Sequence, residues 1–280
     1  MEGGLRWHMS FSSEVKNELA KRISPARHCQ IAELAAIMNF CGQYGGDIKG
    51  GYTIGFQTEN EAVVRKGFTL LRKTFNIDTV VTRGKNRLLP DDGAEARVIQ
   101  ALHLAGREGS MLALEAPVNT LLIKNSCCAR AYLRGAFLSI GSMSDPEKSY
   151  HLEFVCNERT QAEQLQNIIR EFQIEAKVIK RKKYYVVYLK EGAGIVDLLN
   201  VIGAHVSLMN LENLRIVKEM RNSINRRVNC ETANISKTVT AASKQIEDIL
   251  LIRDKYGFEN LPDNLRQMAE IRLEYPDAAL

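Results

Sequence analysis

The side chains able to do chemistry in this 280-residue chain are mainly thiols and cations. Six cysteines stand at positions 29, 41, 127, 128, 156 and 230, with no C-x-x-C pair and no histidine at a matching ligand spacing. That spacing argues against a zinc site, and a chain this long does not need a disulfide framework. The expectation is reduced thiols in a cytoplasm, with no metal and no cofactor. The cations are more informative. Between residues 213 and 244 lie Arg215, Lys218, Arg221, Arg226, Arg227, Lys237 and Lys244 against only Glu219 and Glu231, which matches the whole net charge of +5. A second cluster is Lys180-Arg181-Lys182-Lys183. Each phosphate neutralised by such groups releases counterions, so two clusters point toward a polyanion partner. A solvated face is the plainer reading of either run.

These groups must be held by ordinary globular elements. The apolar content of 45% and charged content of 25% are those of a soluble protein of two or three domains. No apolar run approaches the roughly eighteen residues of a membrane span. The first eight residues, MEGGLRWH, lack the apolar core of a secretory signal and read as a short leader. In MSFSSEVKNELAK (9–21), Phe11, Val15 and Leu19 fall four apart, the spacing of an amphipathic helix with serines at its start. An internal repeat follows. Residues 52–83 align with 150–181, with Tyr52 on Tyr150, Phe56 on Phe154 and Val80 on Val178; Phe75 and Ile77 meet Phe172 and Ile174 after a shift of one. Each copy runs from an alternating strand through a polar helix start (Thr58-Glu59-Asn60; Asn157-Glu158-Arg159) into a helix, then a β-rich segment. Upstream of each lies an apolar helix ending in glycine, IAELAAIMNFCG (31–42) and CARAYLRGAFLSIG (128–141). Further helices are expected over 92–105 and 192–203, so each half reads αββαββα.

Two such halves in one chain resemble the LAGLIDADG homing-endonuclease fold, in which the glycine-ended helices pack side by side along a pseudo-twofold axis. Ala35, Ala36, Gly135, Ala136 and Ser139 are small enough to let two backbones approach closely. The resemblance implies that nuclease chemistry requires a carboxylate just before each terminal glycine, to hold divalent metal and activate water. Here Cys41 and Ile140 occupy those positions. Isoleucine offers no ligand and cysteine a soft sulfur, where a hard cation wants oxygen. Asp47 and Asp145 fall after the glycines, in the following turns. The expectation is a retained scaffold without metal-dependent cleavage.

Three features together resemble the WhiA family of bacterial sporulation regulators and cell-division proteins, over residues 9–280: the opening SFSSEVKNEL, the paired degenerate halves, and RNSINRRVNCETANISKTVTAA near the C-terminus. The resemblance implies an α+β fold: a pseudo-twofold duplicated LAGLIDADG-like domain followed by an all-α helix-turn-helix-type domain. It implies DNA binding in cell division, chromosome segregation and sporulation-type transcription regulation, without catalysis. The expected parts are a leader and N-terminal helix (1–24), first half (25–110), second half (120–205) and helical DNA-binding domain (211–280), with a linker near 203–210 or 226–232; neither stretch is rich in Gly or Pro, so a stiff helix is the alternative for the hinge. In the family the recognition helix lies largely beyond the position of LEYPDAAL. The helix-turn-helix is therefore expected to be incomplete here, leaving phosphate contacts with weak sequence discrimination. Within 211–280, Ile235, Val239, Ala242, Ile246 and Ile249 form a seam for another helix, and a second helix is expected from Asn264 to Leu273.

Double-stranded DNA is the expected partner, with division or transcription proteins as further candidates, in a cytoplasmic, nucleoid-associated setting. Arg221, Arg226, Arg227, Lys237 and Lys244 are the first candidates for phosphate contact. Arg83, Lys85 and Arg87 in one half match Lys180, Arg181, Lys182 and Lys183 in the other, as a possible groove over the duplex or as solvated hairpin tips. Asn222, Asn225 and Asn229 could read bases or cap a helix. Two other classes stay open: an active endonuclease, opposed by Cys41 and Ile140, and a protein-interaction scaffold of the division machinery. RNA is disfavoured because Tyr184-Tyr185 is the only adjacent aromatic pair for stacking.

Overall fold

The computed structural model describes residues 10–46, 52–56, 58, 60–77, 87–88, 94–103 and 117–276. They divide into two compact units, Met1–Arg215 and Ile216–Leu280. The first unit opens with α1 (Phe11–Lys21), capped by Ser10, whose hydroxyl accepts from the Ser13 backbone N–H at 3.2 Å. Val15 and Leu19 are fully buried, as their four-residue spacing demands.

The first half follows as α2 (Arg27–Cys41), β1 (Gly42–Gly46), β2 (Tyr52–Phe56), α3 (Glu61–Phe75), β3 (Arg87–Leu88) and α4 (Ala94–Ala101). The second is α5 (Ser126–Ile140), β4 (Gly141–Met143), β5 (Leu152–Cys156), α6 (Arg159–Glu171), β6 (Lys177–Arg181), β7 (Tyr184–Leu189) and α7 (Gly192–Ile202), the full αββαββα order. Their sheets are antiparallel, in the orders β1-β2-β3 and β4-β5-β7-β6. The two copies agree in register: Gly42 pairs with Phe56, and Gly141 with Phe154. Both phenylalanines are buried, at 2% and 0% exposure. The one-residue shift in the repeat also has a structural cause. Each middle helix is followed by a left-handed residue, Asn76 (φ 57) or Gln173 (φ 61), and then by the buried Ile77 or Ile174. α3 runs 15 residues directly to Asn76, whereas α6 has 13 and is followed by Phe172, so the second copy is one residue shorter at this point.

α2 and α5 are the central pair and pack most extensively of any two elements. Neither carries a polar stripe, because both are covered on nearly every side; Leu34, Ile37 and Met38 are fully buried, each worth about 1.5–3 kcal/mol relative to exposure. The small residues work as their size suggests. A methyl group on Gly135 would sit 2.5 Å from the Glu33 carbonyl oxygen and 2.8 Å from the Ala36 Cβ, so only glycine permits this approach. Both helices stop at a glycine whose N–H still bonds back, Gly42 to the Met38 carbonyl and Gly141 to that of Phe137, before the chain turns straight into β1 or β4.

A buried ionic cluster crosses this core. Glu33 of α2 accepts from Arg134 of α5 through two oxygens, at 2.9 and 3.0 Å, and pairs with Lys66 of α3 at 3.0 Å. The Lys66 ammonium also donates to the Leu19 carbonyl at 3.1 Å and to that of Arg22, while Arg134 reaches the Ile202 carbonyl at 3.3 Å. Burial pulls Lys66 below its ordinary 10.5, against the opposite pull of Glu33. One buried carboxylate thus joins the first two helices of the first half to the second half.

α8 (His205–Tyr256) begins in the first unit, where Glu18 accepts from the Val206 and Ser207 backbone N–H groups at 2.8 and 2.9 Å. It continues through the second unit, followed by α9 (Asp263–Glu274). At this boundary the structure takes the stiff-helix alternative for the hinge. No loop falls at 203–210 or 226–232 beyond Gly203–Ala204, and Asn222, Asn225 and Asn229 lie in mid-helix, not at its caps. The reason is that no Gly or Pro interrupts 205–256. The seam is also only partly covered: Ile249 and Ile252 face Leu265, Met268 and Ala269 of α9 across an apolar groove, whereas Ile235 and Val239 stay 64% and 55% exposed.

Candidate nucleic-acid interface

The five cations expected on the C-terminal segment, Arg221, Arg226, Arg227, Lys237 and Lys244, are all exposed on α8. The helix does not gather them onto one face. At about 100° per residue, Arg226, Lys237 and Lys244 fall within about 20° of one another. The exposed Met220, Ile224, Val228, Ile235 and Val239 form a stripe on roughly the opposite side. Arg221 and Arg227 sit at the two edges of that apolar stripe, and Arg227 lies 4.0 Å from Glu231 one turn on. A row of three cations spaced eleven and seven residues apart can follow a line of phosphates; the flanking pair points elsewhere.

The second cluster is the hairpin of β6 and β7, turned at Lys182-Lys183 with Lys182 in the left-handed region (φ 57). Side chains alternate along a strand, so Lys180 and Arg181 face opposite sides of the sheet. Arg181 donates to Glu153 at 3.3 Å, and Glu153 also holds His151 at 3.0 Å. The Lys180 and Lys183 ammonium groups lie 5.8 and 5.2 Å from the Tyr185 and Tyr184 ring centres. The four-residue basic run therefore splits into an ion-paired arginine, two lysines over aromatic rings and a turn lysine. In the other half, Arg83 and Lys85 lie outside the described residues, and the Arg87 backbone pairs with Gly55.

At the C-terminal ends of α2 and α5 the structure places Cys41, buried, and Ile140, half-buried. Burial pushes the Cys41 thiol up, opposed by the Ser139 hydroxyl and the Lys16 ammonium. Asp145 is exposed in the turn after β4, where it accepts from the Glu147 backbone N–H at 3.0 Å; Asp47 lies outside the described residues. A thiol, a branched alkyl chain and an ammonium do not make an oxygen cage for a hard cation.

Three family models match: the WhiA N-terminal LAGLIDADG-like domain over residues 27–89, the WhiA LAGLIDADG-like domain over 129–221, and the WhiA C-terminal HTH domain over 224–280. The chain belongs to the WhiA family. A "Probable cell division protein WhiA" of Lachnoclostridium phytofermentans is 52% identical over 97% of this chain and 90% of its own length. One of the same name from Alkaliphilus oremlandii is 47% identical over 97% and 88%. The crystal structure described as full-length DUF199/WhiA of "Thermatoga maritima" superposes with a TM-score of 0.63 at 25% identity, covering 96% of this chain and 88% of that one. The family's HTH segment contains the aligned Arg226, Lys237 and Lys244, whereas Arg221 falls in the preceding LAGLIDADG-like match. No helix among the described residues is long and apolar enough to cross a membrane.

One constellation escaped the spacing rules. His28, Cys29, Cys127 and Cys128 meet at the N-terminal ends of α2 and α5, about a hundred residues apart in sequence. Ligand-spacing patterns look within one segment. The signal lay in the repeat, which sets His28-Cys29 and Cys127-Cys128 at the same places in the two central helices.

Proposed function

We propose that this WhiA-family chain is a non-catalytic double-stranded DNA-binding protein, acting in bacterial cell division, chromosome segregation and sporulation-type transcription regulation, in the cytoplasm at the nucleoid. The observation that carries this reading is the alignment of Arg226, Lys237 and Lys244 on one exposed face of α8, within the segment matched by the family's HTH model. Guanidinium and ammonium groups in such a row bind phosphate oxygens without regard to base sequence. Arg221, Arg227, Lys180, Lys182 and Lys183, with Arg83, Lys85 and Arg87 of the first half, are supplementary phosphate contacts on this reading. Arg181 contributes less, because Glu153 already holds it. The names of the relatives support the assignment to cell division. The substitution of Cys41 and Ile140 at the ends of α2 and α5 supports the absence of strand cleavage.

A second reading, docking of a division or transcription protein, draws on the exposed apolar stripe of α8. Binding of the whole chain to a fluorescent duplex across a salt series, beside incubation of supercoiled plasmid with magnesium, separates the readings. DNA binding that weakens steeply with salt, with the plasmid intact, supports the proposal. Salt-independent or undetectable binding favours docking, and magnesium-dependent nicking overturns the non-catalytic assignment.

A further inference from the structure

The N-terminal ends of the two central helices carry a second constellation, at the far end from Cys41 and Ile140. His28 and Cys29 are the second and third residues of α2; Cys127 and Cys128 are the second and third residues of α5. The internal duplication therefore brings four soft-metal ligands together where the N-terminal ends of the two central helices meet. The His28 Nδ1 lies 3.1 Å from the Cys128 Sγ, 3.4 Å from that of Cys29 and 4.0 Å from that of Cys127. All four ligand atoms lie within 4.8 Å of one another. In a tetrahedral zinc site, with Zn–S near 2.3 Å and Zn–N near 2.0–2.1 Å, neighbouring ligand atoms are about 3.6–3.8 Å apart. The observed spacings bracket that value, so sub-ångström side-chain shifts close the shell.

We propose that His28, Cys29, Cys127 and Cys128 form a structural zinc site that clamps α2 to α5. Three sulfurs and one imidazole make a soft donor set that selects zinc over magnesium or calcium. Burial and the neighbouring sulfurs push the Cys128 thiol up to about 12, and burial raises Cys29. A dication that binds here displaces the thiol protons to solvent. The bound state, a dication with three thiolates and a neutral imidazole, carries a net charge of −1. The positive ends of α2 and α5 stabilise that charge, as do Arg22 and Arg130, which line the adjoining cleft. Cys29 and Cys128 are buried among Ala26, Ala32 and Ala131, while His28 and Cys127 are exposed and give the ion a way in.

The test uses the full chain after chelator treatment, titrated with Co²⁺ as a spectroscopic probe and then with Zn²⁺ in competition. The expected result is one equivalent of tetrahedral cobalt with thiolate charge-transfer absorption, displaced by one equivalent of zinc. Cys127→Ser and His28→Asn change exposed side chains, so both should keep the wild-type circular dichroism. Each should lower zinc affinity at least ~100-fold, since loss of even an outer-shell partner costs roughly 10–100-fold. Cys230→Ser, an exposed thiol on α8, should bind as wild type. The proposal is overturned if no thiolate absorption develops, if it persists undiminished in both ligand variants, or if thiol counting finds Cys29 joined to Cys127 or Cys128 as a disulfide in freshly isolated protein.

Discussion

Replacing Glu33 with glutamine tests how the duplicated core is held together. In the native chain one carboxylate meets the Arg134 guanidinium at 2.9 and 3.0 Å and the Lys66 ammonium at 3.0 Å, and all three side chains are buried. An amide keeps the shape but not the charge, so two cations are left without a counterion. Breaking a buried pair from one side costs about 3–5 kcal/mol. For a unit of this size, each kcal/mol lowers Tm by roughly 2–4 °C, so the loss should be about 6–20 °C by calorimetry of the whole chain. The variant also predicts a pH signature. Burial already draws Lys66 below its ordinary 10.5, and Glu33 opposes that pull. Without Glu33 the folded pKa falls further, while the unfolded lysine stays near 10.5. Between those two values the unfolded chain binds more protons, so the variant's stability rises with pH and its deficit narrows. A triple replacement, Glu33→Leu with Lys66→Met and Arg134→Met, removes all three charges of this cluster and should regain most of the loss. A Glu33→Gln protein within about 1 kcal/mol of wild type, with no narrowing of the gap at alkaline pH, would refute this reasoning.

Other consequences follow from the same geometry. Gly135→Leu inserts atoms where even a Cβ meets the Glu33 carbonyl at 2.5 Å, so denaturant unfolding should show a loss of at least about 1–3 kcal/mol. In chelator-treated protein at neutral pH, alkylation followed by mass spectrometry should mark the exposed Cys127 and Cys230. It should spare Cys128 and Cys156, which are held protonated near about 12 by burial; added zinc should protect Cys127 but not Cys230. Putting carboxylates back at the helix ends, with Cys41→Asp and Ile140→Asp, should not by itself restore magnesium-dependent nicking, because Lys16 lies beside position 41 and an ammonium competes with the cation.

The duplication was legible because it is written in periodicity. Phe56 and Phe154 align in sequence and pair with the corresponding glycines in space, and the glycine-ended helices announce the central pair. Composition could not reveal that Lys180 and Arg181 point to opposite faces, since a run of like charge hides the alternation of the strand beneath it. The course of α8 was only half legible, for a different reason. The scarcity of Gly and Pro allowed a stiff helix, but Asn222, Asn225 and Asn229 also suited helix caps, and only the continuous backbone hydrogen bonding shows them in mid-helix. The His28–Cys128 constellation was hidden because its ligands come from two copies of the repeat and only the packing of α2 on α5 brings them together. The buried role of Glu33, Lys66 and Arg134 has no local signature either; each looks like an ordinary helical surface charge until three elements are docked.

The central claim is that the aligned cations of α8 grip phosphates, and the salt dependence of duplex binding tests it most directly. Each phosphate contact contributes about 0.9 to the slope of log affinity against log salt. A variant with Arg226→Ala, Lys237→Ala and Lys244→Ala should therefore bind more weakly at every salt concentration, with a slope shallower by about 2–3. An unchanged slope and affinity in that variant would contradict the account and move the DNA contacts, if any, off this face.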